Sequence, residues 1–548
     1  MTRVNTTKAL LLNVPLENDY KHTLYFTSKD EQEEYFKSRM VRTYNDFSYQ
    51  RKDEPIRIST VDSNGLVSEY DDLIKAGVNY VMYQNSYYTD KWFYAFITDI
   101  KYISDGIVEI QIETDHIQTW LFDYRVKASF VEREHVSDDT IGKHTVPEGL
   151  ETGPYVTLEE GTINLSELDY IVIATTQTFA TNSEGKMVGT DVSGGLYGNC
   201  YSGVKYLAYS TLEYQKVNKF LEDAAEAGGA DAIVAIFLAP SFVVEEFLNE
   251  DNTIKGSNIP ASKEVQIEKN TSMLDNYSPH NKKLLTSPFN YLLVSNNSGS
   301  SATYSYEDFK HETFNDHCVF AIYGVLCPGC SIKLVPSAYK GGLDLQESIN
   351  AGKFPICNWN TDVYTNWLTQ NSTNIALSQL SGYMQIGAGV IGGVMTGGLI
   401  GLVGGLGAVG NGAMQITQTM AEVKKQALTP PQAEGNLNCG DVVSAMAENN
   451  FSYYKQTIKG EYAQMIDKYF DMFGYKVNMV KVPNKAHRSR YWYTKTIDVN
   501  IDGAIPNKDM QAIKNCYNNG ITFWRSATEI QNYALDNSIA ITEGAVTE

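Results

Sequence analysis

Cysteine is scarce in this chain and follows no pattern. The seven cysteines (Cys200, Cys318, Cys327, Cys330, Cys357, Cys439 and Cys516) are odd in number and scattered over 548 residues. They imply no disulfide framework and fit synthesis in a reducing cytoplasm. Positive charge is also scarce. Lysine and arginine total 44 against 65 aspartates and glutamates, a formal net charge of −21. Such a surface repels polyphosphate, which argues against tight sequence reading of nucleic acid; it suits a conduit along which DNA slides without sticking and plain solubility equally, and composition does not choose between them. An export leader is not expected either: the apolar run Ala9 to Leu12 is cut short by Pro15, Glu17 and Asp19. A chain of this kind is expected to leave its cell by lysis or inside a particle. Tryptophan is rare, at six, but tyrosine reaches 37. That ratio points to many half-buried strand positions, where a ring packs and a hydroxyl reaches water.

At this length two to four domains are expected, and the composition predicts a mainly β fold with some α. Residues 1–150 read as a β-rich domain. Lys91 to Ile103 and Ile107 to Glu113 form a hairpin about Asp105-Gly106. Thr114 or Asp115 then caps a short helix with Ile117, Trp120, Leu121 and Tyr124 on one face. Residues 151–285 read as mixed α/β, with a buried strand from Tyr170 to Ala174, a helix from Leu212 to Ala227 and a strand from Asp231 to Leu238. Asn249 to Asn281 is polar and reads as a long loop or a domain edge. Residues 286–375 read as β-rich. Residues 441–548 read as an α+β part: Tyr462, Met465, Ile466, Tyr469, Phe470 and Phe473 share a helical face that stops at Gly474. Tyr475 to Val482 is a strand with Tyr491 to Ile501 as its expected partner. Pro506 opens a last helix that closes at Gly520, with Met510, Ile513 and Tyr517 inward.

Residues 376–440 do not suit a soluble body. Between Val363 and Ala421 there is no charged residue, and Ile386 to Val409 is apolar or glycine except for Thr396. As a helix this run would span about 36 Å, enough for a hydrocarbon core of about 30 Å. Its ten Ile, Val and Leu residues favour insertion by about 3 to 6 kcal/mol. Its ten glycines weaken a helix in water by about 10 kcal/mol. One copy is therefore a poor anchor. Gly389, Gly393, Gly397, Gly401 and Gly405 recur every four residues, a ladder that lets several copies approach closely. A buried apolar loop and a constitutive anchor are the rival readings of this segment. The reading adopted is a membrane-active loop exposed on cue, carried by Ile386, Gly389, Val390, Gly393, Gly397, Leu399, Ile400, Gly401, Leu402, Val403, Gly405 and Leu406.

Other candidate chemistry is weak. Gly387 to Gly392 matches GxGxxG, but no clear strand precedes it and no acid follows before Glu422, so no dinucleotide or other cofactor is expected. Cys327-Pro328-Gly329-Cys330, with His317, Cys318 and Cys357 nearby in sequence, is the best metal candidate. It lacks a second spaced pair and reads as a tight turn, so no metal is expected. Glu113, Asp115 and His116 do not converge as an acid–base set, and no catalytic residue is assigned. Lys481, Lys485, His487, Arg488, Arg490 and Lys495 form a basic cluster, read as a solvated hairpin end rather than a DNA site.

Several strings, in order, carry a resemblance. They are Val14-Pro15 with Asn18-Asp19-Tyr20-Lys21, then Lys91-Trp92-Phe93-Tyr94-Ala95-Phe96, then Glu113, Asp115 and Gln118-Thr119-Trp120. Arg133-Glu134-His135-Val136 and Glu148-Gly149-Leu150 follow. After the apolar segment come Pro430-Pro431-Gln432, Gly474-Tyr475-Lys476, Asn519-Gly520-Ile521-Thr522 and Trp524. Together they resemble the distal tail-knob proteins of small, protein-primed, salasvirus-like podophages of Gram-positive bacteria, over roughly residues 10–150 and 370–530, with little match between 150 and 350. The resemblance implies a non-enzymatic virion structural protein of the distal tail. It implies a homohexameric tube whose walls, β-barrel domains of tail-tube type, come from residues 1–150 and 441–548. It also implies that the apolar loops plug the lumen and enter the host membrane as a pore during genome ejection. The implied partners are further copies of the chain, other tail proteins, the host cytoplasmic membrane, and phage DNA that passes without specific binding. A secreted pore-forming toxin, a tail adhesin binding wall polymers and a cell-wall depolymerase are the alternatives.

Overall fold

A computed structural model describes residues 6–48, 50–59, 70–85, 91–104, 106–165, 169–191, 194–297, 299–326, 330–341, 347–350, 356–358, 436–437, 450–485 and 488–538. The chain divides into two compact units. One joins Met1–Glu151, Pro279–Leu284 and Glu461–Glu548; the other joins Thr152–Ser278 and Leu285–Gly460.

The first unit carries two main sheets. The six-stranded sheet runs in the order Met40–Ser48, Thr6–Leu12, Tyr80–Asn85, Phe93–Ser104, Ile107–Thr114, Ile56–Ser59, all antiparallel. Thr6–Leu12 explains the short apolar run near the start of the chain. Ala9 and Leu11 face one core cluster while Leu10 and Leu12 face another, so the strand is buried on both sides and does not alternate with polar residues. The hairpin read from Lys91 to Glu113 supplies the fourth and fifth strands of this sheet, Phe93–Ser104 and Ile107–Thr114. The helix Lys29–Ser38 lays Phe36 onto Tyr80 and Tyr94. Ser28 caps it by accepting from the Glu31 N–H at 3.2 Å.

The five-stranded sheet runs in the order His22–Leu24, Ile521–Trp524, Tyr491–Ile497, Ser129–Glu134, Tyr475–Lys481. Here the expected pairing of Tyr475–Val482 with Tyr491–Ile501 is corrected. Ser129–Glu134 lies between the two and pairs with both. The pleat and the apolar pattern identify a strand but not its neighbour, and the neighbour here comes from more than 340 residues away (Tyr475 opposite Glu134). The helix after Asp115 is also shorter than expected. It covers His116–Trp120, and Tyr124 begins the strand Tyr124–Val126. Among the described residues neither sheet closes on itself, so the expected barrel is present as open sheets.

The helix Gly460–Phe473 stops where Gly474 adopts φ 61°, and a Cβ there would meet the Glu134 carbonyl oxygen at 2.2 Å. Its buried face differs from the expected one: Ala463, Ile466, Asp467 and Phe470 are buried, whereas Met465 is 59% exposed. Asp467 turns inward because it accepts the backbone N–H groups of His280 (2.7 Å) and Asn281 (3.0 Å) from the short passage 279–284. Hydrophobic spacing alone does not reveal a carboxylate buried against backbone donors. The helix Asn507–Asn519 follows Pro506 and ends at Gly520; Ile513 and Tyr517 are buried as the spacing predicts, Met510 is half-buried, and Asp509 and Cys516 are buried beside them.

The second unit is built on one large core. A four-stranded sheet orders Tyr155–Asn164, Asn450–Ile458, Asn290–Ser295 and Ser301–Tyr304. A five-stranded sheet orders Lys205–Ser210, Tyr170–Thr175, Ile233–Ala239, Ile356–Asn358 and Asn436–Leu437. The helix Tyr214–Glu226 buries Val217 and Leu221, as its spacing predicts. A third sheet orders Ala261–Glu268, His317–Val325, Ser331–Pro336 and Ile349–Asn350. Its first strand corrects the reading of Asn249–Asn281 as a loop. Ala261–Glu268 is an edge strand with five of its eight residues exposed, so its sequence is charged and carries almost no apolar alternation.

Candidate functional site

The residues assigned to the membrane-active loop, Ile386 to Leu406, lie outside the described residues, as do the GxGxxG match and all of the 376–440 region except Asn436–Leu437. Among the described residues no helix is long and apolar enough to cross a membrane. What the structure does place is the base of the segment. Ile233–Ala239 is an apolar central strand. It pairs on one side with Tyr170–Thr175 and on the other with Ile356–Asn358. Ile356–Asn358 then pairs antiparallel with Asn436–Leu437, Asn358 opposite Asn436 and Cys357 opposite Leu437. Asn358 and Asn436 therefore face each other, although residues 359–435 separate them in the sequence.

The basic cluster does not form a charged face. Lys481 pairs with Glu134 and Arg490 with Glu529, while Lys495 lies 2.9 Å from Glu132. Arg488 is buried and donates from Nη1 to the Asn537 carbonyl at 3.2 Å. His487 lies outside the described residues. Neighbouring acids thus neutralise most of the positive charge, so the solvated-hairpin reading is also modified: these side chains are paired.

Asp115 is a structural group. It is fully buried, accepts from the Gln118 N–H at 2.9 Å as the helix cap, and accepts from the Tyr80 hydroxyl at 2.9 Å. Burial raises its pKa to about 6. His116 turns the other way, its Nδ1 3.2 Å from Asp509, and burial lowers its pKa despite that carboxylate. Glu113 instead accepts from Asn18 at 3.3 Å, so the three do not converge.

Cys318 is a buried free thiol, and burial pushes it up to about 12; Cys330 is buried as well. A thiol held protonated is a poor metal ligand. Cys327 to Gly329 lie outside the described residues. The flanking strands pair Val325 with Ser331. Among the described residues no cluster of three or more His, Cys, Asp or Glu side chains could hold a metal.

Comparison with known proteins now gives this architecture its class. Residues 4–125, which include the six-stranded sheet, match the family model of the Caudoviral major tail protein N-terminus, so the fold is that of a phage tail structural component. Residues 254–538 match the model described as Bacillus phage phi29, Tail knob protein gp9, C-terminal domain, and the chain belongs to that tail knob family. The tail knob protein gp9 of Bacillus phage B103 is 25% identical, over 96% of this chain and 97% of its own. Those of phages phi29 and PZA are 24% and 26% identical, over 97% of this chain and 98% of theirs. The solved structure of the bacteriophage C1 tail knob protein, gp12, shares the fold with a TM-score of 0.61 at 14% identity, over 97% of this chain and 100% of that one. The likeness therefore runs through residues 150–350, where no diagnostic string was found.

Proposed function

We propose that copies of this chain close into a ring, a homohexamer, that forms the DNA conduit of the tail tip. In this reading residues 376–440 plug the lumen until infection and then enter the host membrane as a packed set, opening a pore for the genome. The observation that carries the reading is the juxtaposition of Asn358 and Asn436. A long apolar segment whose two ends meet at one sheet edge can change its surroundings without unpairing the strands of the body. The edge strands of both sheets in the first unit, unpaired on their outer side among the described residues, support ring closure, because unpaired strand edges invite strands or loops of another copy. The charge of −21 supports passage of DNA without retention. The conduit itself requires no catalysis.

Liposome dye release tests the proposal. Leu402→Asp places a carboxylate near the middle of the apolar run at a cost of about 2.5 to 3.5 kcal/mol per copy. It is expected to leave ring assembly, seen by electron microscopy, intact and to abolish release. Release at the parental rate would overturn the pore reading, and a protein that stays monomeric where virions remain intact would overturn the ring.

A further inference from the structure

The first unit exposes two groups of apolar side chains that its own core does not use. In the five-stranded sheet, Phe130 lies directly opposite Val480 on one side and Ile497 on the other. Directly opposed residues of antiparallel strands point to the same face. The three therefore form one apolar row across Tyr475–Lys481, Ser129–Glu134 and Tyr491–Ile497. The row faces outward: Val480 is 69% exposed, Ile497 54% and Phe130 37%, whereas Ser129 and Val131, which point to the other face, are buried. It ends on Tyr475–Lys481, an edge strand with no strand on its outer side among the described residues.

The second group is the end of the hairpin Phe93–Ser104 with Ile107–Thr114. Tyr102, Ile103 and Ile107 are 43% to 56% exposed. Ile103 is the extra residue of a bulge, between Tyr102 opposite Val108 and Ser104 opposite Ile107. The base of the hairpin is fixed, since Tyr94 and Phe96 share a core cluster with Tyr491 and Trp524 of the five-stranded sheet. From Ala95 at that base to Ser104 the strand extends about 30 Å. Row and hairpin end both stay exposed in the single chain, so they do not cover each other.

Charge decides what can cover them. Copies of net charge −21 repel one another and meet most readily where local charge is cancelled. The carboxylates beside the row are cancelled: Lys481 pairs with Glu134, and Lys495 lies 2.9 Å from Glu132. Near the hairpin end, Lys101 lies 3.9 Å from Asp99. A row without surplus positive charge has nothing to draw it to an anionic lipid surface. Exposed apolar groups of a few hundred Å² mark contact sites, yet each falls short of the ~800 Å² per partner of a stable pair. Such contacts hold when each copy makes two of them in a closed ring, and a ring requires two different patches on each copy.

We propose that the hairpin end of one copy, with Tyr102, Ile103 and Ile107, packs on the row of Phe130, Val480 and Ile497 of the next copy. This rests on the ring reading and names a contact that closes the ring.

Mass photometry and electron microscopy of the full chain test it. Val480→Glu and Ile103→Glu, both at exposed positions, should each leave the thermal midpoint of the monomer at the parental value. Each should raise the concentration of half-assembly about tenfold or more, because every contact then buries an unpaired carboxylate. Combining Ile103→Glu with Val480→Lys in one chain sets a carboxylate against an ammonium across every contact and should bring the rings back. A parent that stays monomeric overturns the ring and this contact with it. A parent that forms rings, with either single variant assembling equally well, overturns the contact and leaves the ring standing, as does a double variant that fails to recover. Intact rings with liposome binding lost in Val480→Glu would also overturn it and assign the row to a lipid surface.

Discussion

The indole N–H of Trp120 donates to Oδ2 of Asp509 at 3.0 Å, joining residues 389 positions apart in the sequence. Asp509 is fully buried in the first turn of the last helix. Its other oxygen meets the Lys52 ammonium and lies 3.2 Å from His116 Nδ1. The carboxylate thus ties the loop at Lys52, the short helix after Asp115 and the C-terminal helix together, in a position where a charge without partners would be expelled.

Trp120→Phe removes one of the donors that make this burial tolerable. The expected loss is about 1 to 3 kcal/mol of unfolding free energy, the cost of an unsatisfied buried group. In an Asp509→Leu background, with no carboxylate left to satisfy, Trp120→Phe should cost much less. Urea denaturation of the four proteins of this cycle measures the coupling.

Two buried groups, Asp115 and His135, make opposing contributions to the pH dependence of stability. Burial raises the Asp115 pKa to about 6, so its contribution is largest below the unfolded value near 4 and is lost as pH rises through 6. Burial lowers the His135 pKa to about 3, and its neutral Nδ1 accepts the Tyr493 N–H at 2.7 Å. Its contribution is present above the unfolded value near 6.5 and is lost as pH falls. Between pH 6 and 4 the two slopes cancel, each about 1.4 kcal/mol per pH unit. Asp115→Asn keeps a capping oxygen but removes one slope. Its midpoint of denaturation should therefore fall more steeply than the parent's between pH 6 and 4, which urea titrations at stepped pH will read.

Gly397→Leu with Gly401→Leu keeps the segment apolar and blocks close approach of neighbouring copies. Phage carrying both changes should assemble and adsorb yet fail to deliver DNA. Infection at the parental titre would mean that the copies do not pack through the glycine ladder.

The paired state of Lys481, Arg490 and Lys495 and the charge of −21 predict weak DNA binding by the isolated protein, without sequence preference. Filter binding at physiological salt should give no sub-micromolar affinity. A tight complex that persists at higher salt would argue against passive conduction.

Much was legible because some signals are local. The hairpin of Phe93–Ser104 with Ile107–Thr114 follows from alternation around a turn, and the helices Gly460–Phe473 and Asn507–Asn519 from 3.6-residue spacing closed by Gly474 and Gly520. The apolar segment needed only composition, and its family needed only the order of short strings. The edge strand Ala261–Glu268 left no such trace, since its exposed and charged residues carry almost no apolar alternation.

By itself, then, the sequence determined the strongly patterned elements, such as the hairpin of Phe93–Ser104 with Ile107–Thr114 and the helices Gly460–Phe473 and Asn507–Asn519, that the body is mainly β, and that one long segment carries no charge. Tertiary structure alone decided which strands are neighbours. It set Ser129–Glu134 between two strands that follow each other closely in the chain, buried Asp467 and Asp509 on faces where spacing predicts apolar residues, and brought Asn358 opposite Asn436. The physical reason is that a backbone N–H pairs equally well with any carbonyl in register. Partner choice therefore depends on the summed burial of distant side chains, and no local pattern carries that sum.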